Sequence, residues 1–175
     1  MILSGDNVII VLWFGGEVMR SFEKISFEQF SKDIKDDKDL YLEYSLPRRA
    51  TRYSCGYDFY AIEDMILHPG KIKKIPTGYK AKYNDDEMLM LVVRSSMGFK
   101  YNVRMCNQVG IIDSDYYNNS DNEGHMWVAL QNEGTCDYVI KKGTAYSQGI
   151  FVKYLTCGDD EDVTRVSGIG STDKV

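Results

Sequence analysis

From Leu40 onward the hydrophobic residues fall in short runs, many built from Val, Ile, Tyr or Phe and separated by Gly, Asn, Asp or Pro. That pattern predicts strands at Tyr57–Ile62, Lys71–Pro76, Met88–Val93, Met105–Ile112, His125–Leu130, Tyr138–Ile140 and Gly149–Leu155. Many short strands with little helix between them imply an all-β sandwich or distorted barrel rather than a βαβ sheet. The N-terminal stretch has a different period. Phe27, Phe30 and Ile34 recur at helical spacing, and Ser26 stands three residues before Gln29 as a capping box, which predicts a helix within Ser21–Asp39. The Lys/Asp run Lys32–Asp39 reads as a solvated face or a linker. The expected organisation is an N-terminal extension over 1–39, a β core over 40–160 and a C-terminal segment over 161–175. The end of that segment, Ser167–Val175, is small and polar and by itself reads as a frayed terminus.

Composition narrows the class. The 175 residues suffice for one domain with a sizeable core, and 43% hydrophobic with 27% charged residues is a soluble globular balance. A formal charge of −5 argues against a nucleic-acid partner, and an anionic ligand would need local donors or a metal ion. The four cysteines (Cys55, Cys106, Cys136, Cys157) form no CxxC, and two histidines add little toward a zinc site, so free thiols in a reducing cytoplasm are expected, with a secreted disulfide framework, which the even number allows, as the alternative. The apolar run Val8–Phe14 has seven residues, against about 20 for a spanning helix, so no membrane partner is expected. No Lys or Arg precedes that run, which suits a strand or flap better than an export signal. The Gly-Gly-Glu-Val before Met19 can be encoded by a purine-rich ribosome-binding stretch, making Met19 a candidate native start that an intact mass including residues 1–18 would rule out.

Candidate chemistry lies at the strand ends. GIIDSDYYNN, residues 110–119, ends an apolar strand on Asp113 and Asp115, followed by an aromatic pair. Alone it is an ordinary polar turn. Asp58 lies inside the aromatic strand of LPRRATRYSCGYDFYA, and Arg94-Ser95-Ser96 follows MLMLVV, bringing a guanidinium fork and two hydroxyls suited to phosphate oxygens. The alternative for that trio is a surface arginine in a serine turn. Gln148 precedes the strand Ile150–Tyr154, and Arg165 leads the Gly-rich RVSGIGST, a sequence able to turn backbone N–H groups toward an anion. GxGxxG and Walker A patterns are absent, which removes the Rossmann and P-loop routes to a nucleotide.

In order and at matching spacing, GYDFYA, RSSMG, NQVGIIDSDYY, GTAYSQ and RVSGIGST resemble the five motifs of the trimeric dUTPase family, over about Leu46 to Thr172. The long hairpin DYYNNSDNEGH resembles the form found in low-GC Gram-positive bacteria and their phages. The resemblance implies a jelly-roll-like homotrimer with sites at subunit interfaces, hydrolysing dUTP to dUMP and pyrophosphate with Mg2+. It assigns Asp113 to activating the attacking water and Tyr116 to packing on the deoxyribose. Asn107, with backbone groups of Gly110, Ile111 and Ile112, would meet the uracil. Arg94, Ser95, Ser96 and Gln148 would hold phosphates. Asp58 would reach the metal through water or brace Arg94. Arg165, Gly168, Ile169, Gly170, Ser171 and Thr172 would form an arm closing a neighbouring subunit's site.

Several positions depart from the family pattern. Ile169 stands where a phenylalanine normally covers the base, leaving Trp127 as a substitute ring or, on the plainer reading, a core aromatic. Ala145 replaces an arginine of the fourth motif, with Tyr146 and Ser147 also atypical, and Ser167 and Asp173 replace glycines. A dCTP deaminase shares the fold, but Ala129 occupies the place of its proton-handling glutamate. A second rival is a phage-type regulatory binding protein, for which residues 1–39 would supply a partner surface.

Overall fold

In a computed structural model the described residues are 20–158. In chain order they form β1 (Ser21–Lys24), α1 (Phe27–Asp33), α2 (Lys38–Glu43), β2 (Arg48–Arg49), β3 (Tyr57–Tyr60), β4 (Met65–Leu67), β5 (Ile72–Pro76) and β6 (Tyr79–Lys82). There follow β7 (Glu87–Val93), α3 (Ser95–Tyr101), β8 (Val103–Met105), β9 (Gly110–Asp113), a 3-10 turn Ser114–Tyr116, β10 (Trp127–Asn132), β11 (Tyr138–Ile140) and β12 (Ala145–Lys153). The largest sheet has the order β2-β3-β12-β7-β9, flanked by β5-β10-β8 and the pairs β1-β6 and β11-β4. Every pairing is antiparallel. The result is a jelly-roll-like, all-β arrangement that does not close into a barrel.

Alternation drives the central strand. In β7 residues Glu87, Leu89 and Leu91 are buried while Met88, Met90 and Val92 are less so, the period-two signature of a strand with one face on the core. Leu89 and Leu91 meet Phe59, Tyr79, Val128 and Leu130 in one continuous core. The buried Glu87 lies in that apolar row because the Arg20 guanidinium forks onto both its oxygens, Nε to Oε2 at 2.7 Å and Nη2 to Oε1.

Five expectations need correction. Ser21–Asp39 is not one helix: Ser21–Lys24 pairs with β6, and Phe22 packs on Tyr57, Phe59 and Phe151, so a strand wins where an aromatic pocket is on offer. Ser26 does cap α1, its Oγ accepting from Gln29 N at 3.1 Å. Gln29, however, turns its amide to Asp33, and Glu123 takes Ser26 N–H at 2.9 Å, so the reciprocal half of the box is long-range. The Lys/Asp run hides a helix start: Asp37 caps α2 by accepting from Leu40 N at 3.0 Å. Met105–Ile112 is two strands, since Gln108 sits at φ 62° in a turn that sends β8 to β10 and β9 to β7. Finally, β12 begins at Ala145, so Gln148 lies within the strand rather than before it.

The start of β12 bulges between Ala145 and Ser147, driving Tyr146 into the core at 1% exposure. Among the described residues its hydroxyl has no hydrogen-bond partner. Removing an unsatisfied buried hydroxyl relieves a desolvation cost, so Tyr146→Phe is expected to raise stability by about 1 kcal/mol in denaturant unfolding.

His125 is fully buried and held at both ring nitrogens. Nδ1 lies 2.6 Å from Asp33 Oδ2, and Nε2 accepts from Gly78 N–H at 2.9 Å, which selects the neutral Nδ1–H tautomer. Burial pushes its pKa below the ordinary 6.5, against the smaller raising pull of Asp33. Folding therefore disfavours the protonated ring. The stability it contributes is present above the unfolded value and is lost as pH falls through the lowered folded one. Thermal melts should show stability falling as pH drops below about 6.5, with that slope flattened in His125→Gln.

Candidate functional site

Two groups of the expected residues are assembled, at opposite ends of β7. The first lies where β7 gives way to α3. Arg94 is the residue before the helix and Ser95 and Ser96 form its exposed first turn. Asp58 on β3 stands across from Gln148 on β12, and Gln148 across from Val92 on β7, so three adjacent strands present their side chains at one end of the sheet. They line an open cleft of about 290 Å³ together with Ala50, Ser54 and Gly56. Asp58 is buried and its Oδ1 lies 3.3 Å from Arg94 Nε, which fixes the guanidinium at the cleft mouth. Gln148 Nε2 donates to Val93 O at 3.4 Å. A Cβ on Gly56 would overlap Gln148 Oε1 and stand 3.0 Å from its Cδ, so this glycine gives the glutamine its place. The lining is donor-rich, with one guanidinium, three serine hydroxyls and an amide, a set matched to phosphate oxygens.

The second group surrounds β9, an edge strand of the large sheet. Asp113 ends it, exposed, opposite Met88 at the start of β7. Gly110 is buried because a side chain there would press on Leu91 and Met105. Ile111 is 51% exposed. The Ile112 carbonyl accepts from Tyr83 OH at 2.7 Å, which ties the strand down one residue before Asp113. Tyr116 is 5% exposed, and its hydroxyl donates to His125 O at 3.2 Å and accepts from Asn122 Nδ2 at 2.9 Å. Its hydroxyl is thus engaged on both sides. The hairpin tip is organised by Asn119, whose Oδ1 accepts from Asp121 N and Asn122 N at 3.0 and 3.1 Å. Gly124, at φ 81°, lets the return strand pass, since a Cβ there would lie 2.6 Å from Tyr116 O.

Asn107 and Trp127 line one cleft of about 540 Å³ with Cys106, Asp121, Asn122 and Ala129. Trp127 is half-buried, so it is neither a plain core residue nor a free lid. Ala145 stands opposite Tyr60, over whose ring the Arg48 guanidinium lies at 5.5 Å. Arg165, Gly168, Ile169, Gly170, Ser171 and Thr172 lie outside the described residues, as do Val8–Phe14 and Met19.

Gly56, Ser54, Tyr83 and His125 belong to these groups and carried no expectation. Gly56 had a signal, a glycine beside aromatic strand residues. The other three had none, because their contacts span 29 to 92 positions of sequence or arise from the loop before β3. No group of three or more His, Cys, Asp or Glu fit to hold a metal occurs among the described residues, and no helix there is long and apolar enough to cross a membrane.

Comparison with known proteins identifies the family. A family model described as dUTPase matches residues 43–173. The deoxyuridine 5'-triphosphate nucleotidohydrolase of Lactococcus lactis is 44% identical over 131 residues, covering 73% of this chain and 87% of the relative. That of Blochmanniella pennsylvanica is 34% identical, covering 68% and 78%. Among solved structures, a dUTPase from Streptococcus mutans aligns with a TM-score of 0.63 at 35% identity, over 78% of this chain and 97% of that one. The dUTPase of Staphylococcus aureus phage phi11 aligns at 0.61 and 16% identity over 82% and 95%, a likeness of fold alone. With a family match over most of the chain and a relative at this identity, the chain belongs to the dUTPase family.

Proposed function

We propose that this chain is a dUTP diphosphatase, releasing dUMP and pyrophosphate from dUTP at sites shared between neighbouring copies of a homotrimer in a reducing cytoplasm. The observation that carries the shared site is the separation of its halves. Met88 on β7, opposite Asp113, and Arg94 just past the strand's end are six residues apart, about 20 Å at strand rise. A triphosphate cannot place its α-phosphorus beside Asp113 and its outer oxygens on Arg94 of the same chain. Two copies, one offering β9 with its hairpin and the other the Arg94 cleft, remove the gap, and the segment after residue 160 is available as a closing arm. All four cysteines are free, as a reducing compartment requires.

Within that site Asp113 accepts a proton from the attacking water, held in place by β7 pairing and by Tyr83 on the preceding carbonyl. Tyr116 offers a fixed ring wall to the sugar, where a 2′-hydroxyl would collide. Asn107 and the outer edge of β9 meet the uracil edge, with Trp127 a ring in the same cleft. Arg94, Ser95, Ser96 and Gln148 draw off the charge that builds on the phosphates. Asp58 braces Arg94 through their ion pair. The described residues offer this cleft one carboxylate, Asp58, already paired, so they fit a magnesium ion carried mainly by phosphate oxygens and water, with Asp58 at most a contact through water. Bound there, Mg2+ would supply charge neutralisation against a protein of net charge −5.

Pyrophosphate release should be seen from dUTP and not from dCTP, dTTP or UTP, and Asp113→Asn should lower it by about 10²–10⁴-fold. Absence of release from dUTP by the wild type would overturn the activity. The shared site has its own test. Asp113→Asn and Arg94→Ala, each inactive alone, should regain activity when unfolded together and refolded as mixed trimers. Random mixing leaves three-quarters of trimers mixed, each with one intact site in three, so about a quarter of wild-type activity is expected. No recovery on mixing, with trimers present, would mean that each chain completes its own site.

A further inference from the structure

The segment before the family-matched region, residues 20–42, forms no site of its own, yet its polar side chains do not face solvent at random. Three of them, one on β1, one at the cap of α1 and one in its last turn, each take a residue of the hairpin 114–126. Glu23 Oε2 accepts from Tyr117 OH at 2.9 Å. Ser26 gives both its N–H, at 2.9 Å, and its hydroxyl to the Glu123 carboxylate. Asp33 Oδ2 receives His125 Nδ1–H at 2.6 Å. Burial pushes the Glu123 pKa up, but the two Ser26 bonds and Lys80 outweigh it and hold the group below the usual carboxylate range, so it is ionised in this contact.

The hairpin's internal bonds are those of turns, such as Asn118 N to Glu123 O at 3.1 Å and the Asn119 side chain, rather than a strand ladder, so these contacts add to its hold on the body. Its turns include positive φ at Asn118, Glu123 and Gly124, and no strand pairing is assigned within it. From the body, Lys80 reaches Asn118 Oδ1 at 2.7 Å and Glu123 Oε2 at 3.6 Å, and Met126 at the hairpin's end bonds to Tyr79 O and Thr77. The Asp33 contact leads furthest inward. The imidazole of His125 is fixed from both sides, by Asp33 and by Gly78 N–H, and its carbonyl accepts the Tyr116 hydroxyl at 3.2 Å. Asp33 is thereby one residue removed from the ring that faces the sugar.

We propose that residues 20–34 are a positioning element for the hairpin, and that Asp33, acting through His125, is a positioning residue that sets substrate affinity and sugar selectivity. The reading rests on the proposed dUTP hydrolysis for its kinetic consequence but not for its structural one. Held in place, the Tyr116 ring keeps the sugar pocket narrow. Released, it lets the hairpin swing, weakens deoxynucleotide binding and relaxes the exclusion of a 2′-hydroxyl, while Asp113, anchored on β9, keeps its chemistry.

The test uses the full chain, with Asp33→Ala, Asp33→Asn and Glu123→Gln. In hydrogen–deuterium exchange, Asp33→Ala is expected to speed exchange in 114–126 about tenfold, as loss of one charge-assisted hydrogen bond would, and to leave β7 and β12 unchanged. In steady-state assays KM for dUTP should rise about tenfold with kcat within about twofold, and the preference for dUTP over UTP should fall. Asp33→Asn, which keeps an acceptor oxygen, should lie between Ala and wild type. Unchanged hairpin exchange, or a fall in kcat at constant KM, would overturn the proposal. If Asp33→Ala loosens the whole molecule, Glu123→Gln decides: faster exchange confined to the hairpin supports the proposal, and unchanged exchange overturns it. A wild type inactive on dUTP would sink the activity alone, because exchange still reports on the brace.

Discussion

Everything in this molecule is arranged about the pairing of β7 with β12 on one side and β9 on the other. The strand is bonded along its full length to β12, Glu87 against Lys153 through Val93 against Ser147, and along its first half to β9. Its inward face supplies Leu89 and Leu91 to the centre of the core. Its two ends lie beside Asp113 and Arg94. Because backbone pairing and core burial both hold it, β7 is a rigid spacer. The distance between the carboxylate end and the guanidinium end is therefore a constant of the fold, which no side-chain motion can close.

The fold class and most of the strands were legible in the sequence because alternation and turn residues are local signals. Glu87–Val93, Ile72–Pro76 and Tyr138–Ile140 could be placed from them. What failed was local preference overruled from a distance. Ser21–Lys24 lies in a stretch that scans as helix, and only the aromatic pocket of Tyr57, Phe59 and Phe151 makes it a strand. Gln108 carries no mark of the turn that divides β8 from β9.

The site was legible to a different degree. Asp58, Arg94, Ser95, Ser96 and Gln148 could be named in advance, and they meet in one cleft. The supporting residues could not. Tyr83 and His125 have ordinary types in ordinary neighbourhoods, and their importance comes from partners such as Ile112 O and Asp33, far away in the chain. Motifs record the residues that touch a ligand. Those that hold the motif in place are visible only once the chain is folded.

Gly56 has a consequence for how this sequence can drift. The space its missing side chain leaves is filled by the end of Gln148, a flexible group that can swing aside. A methyl at position 56 would therefore cost the fold little and displace the amide from the cleft beside Arg94. Such a change would pass a screen for soluble, folded protein and be removed only by a screen for growth on the activity itself. The two positions form a lock with an order of opening: residue 148 must shorten before residue 56 can enlarge without displacing it, and the first step already discards the amide that the glycine exists to admit.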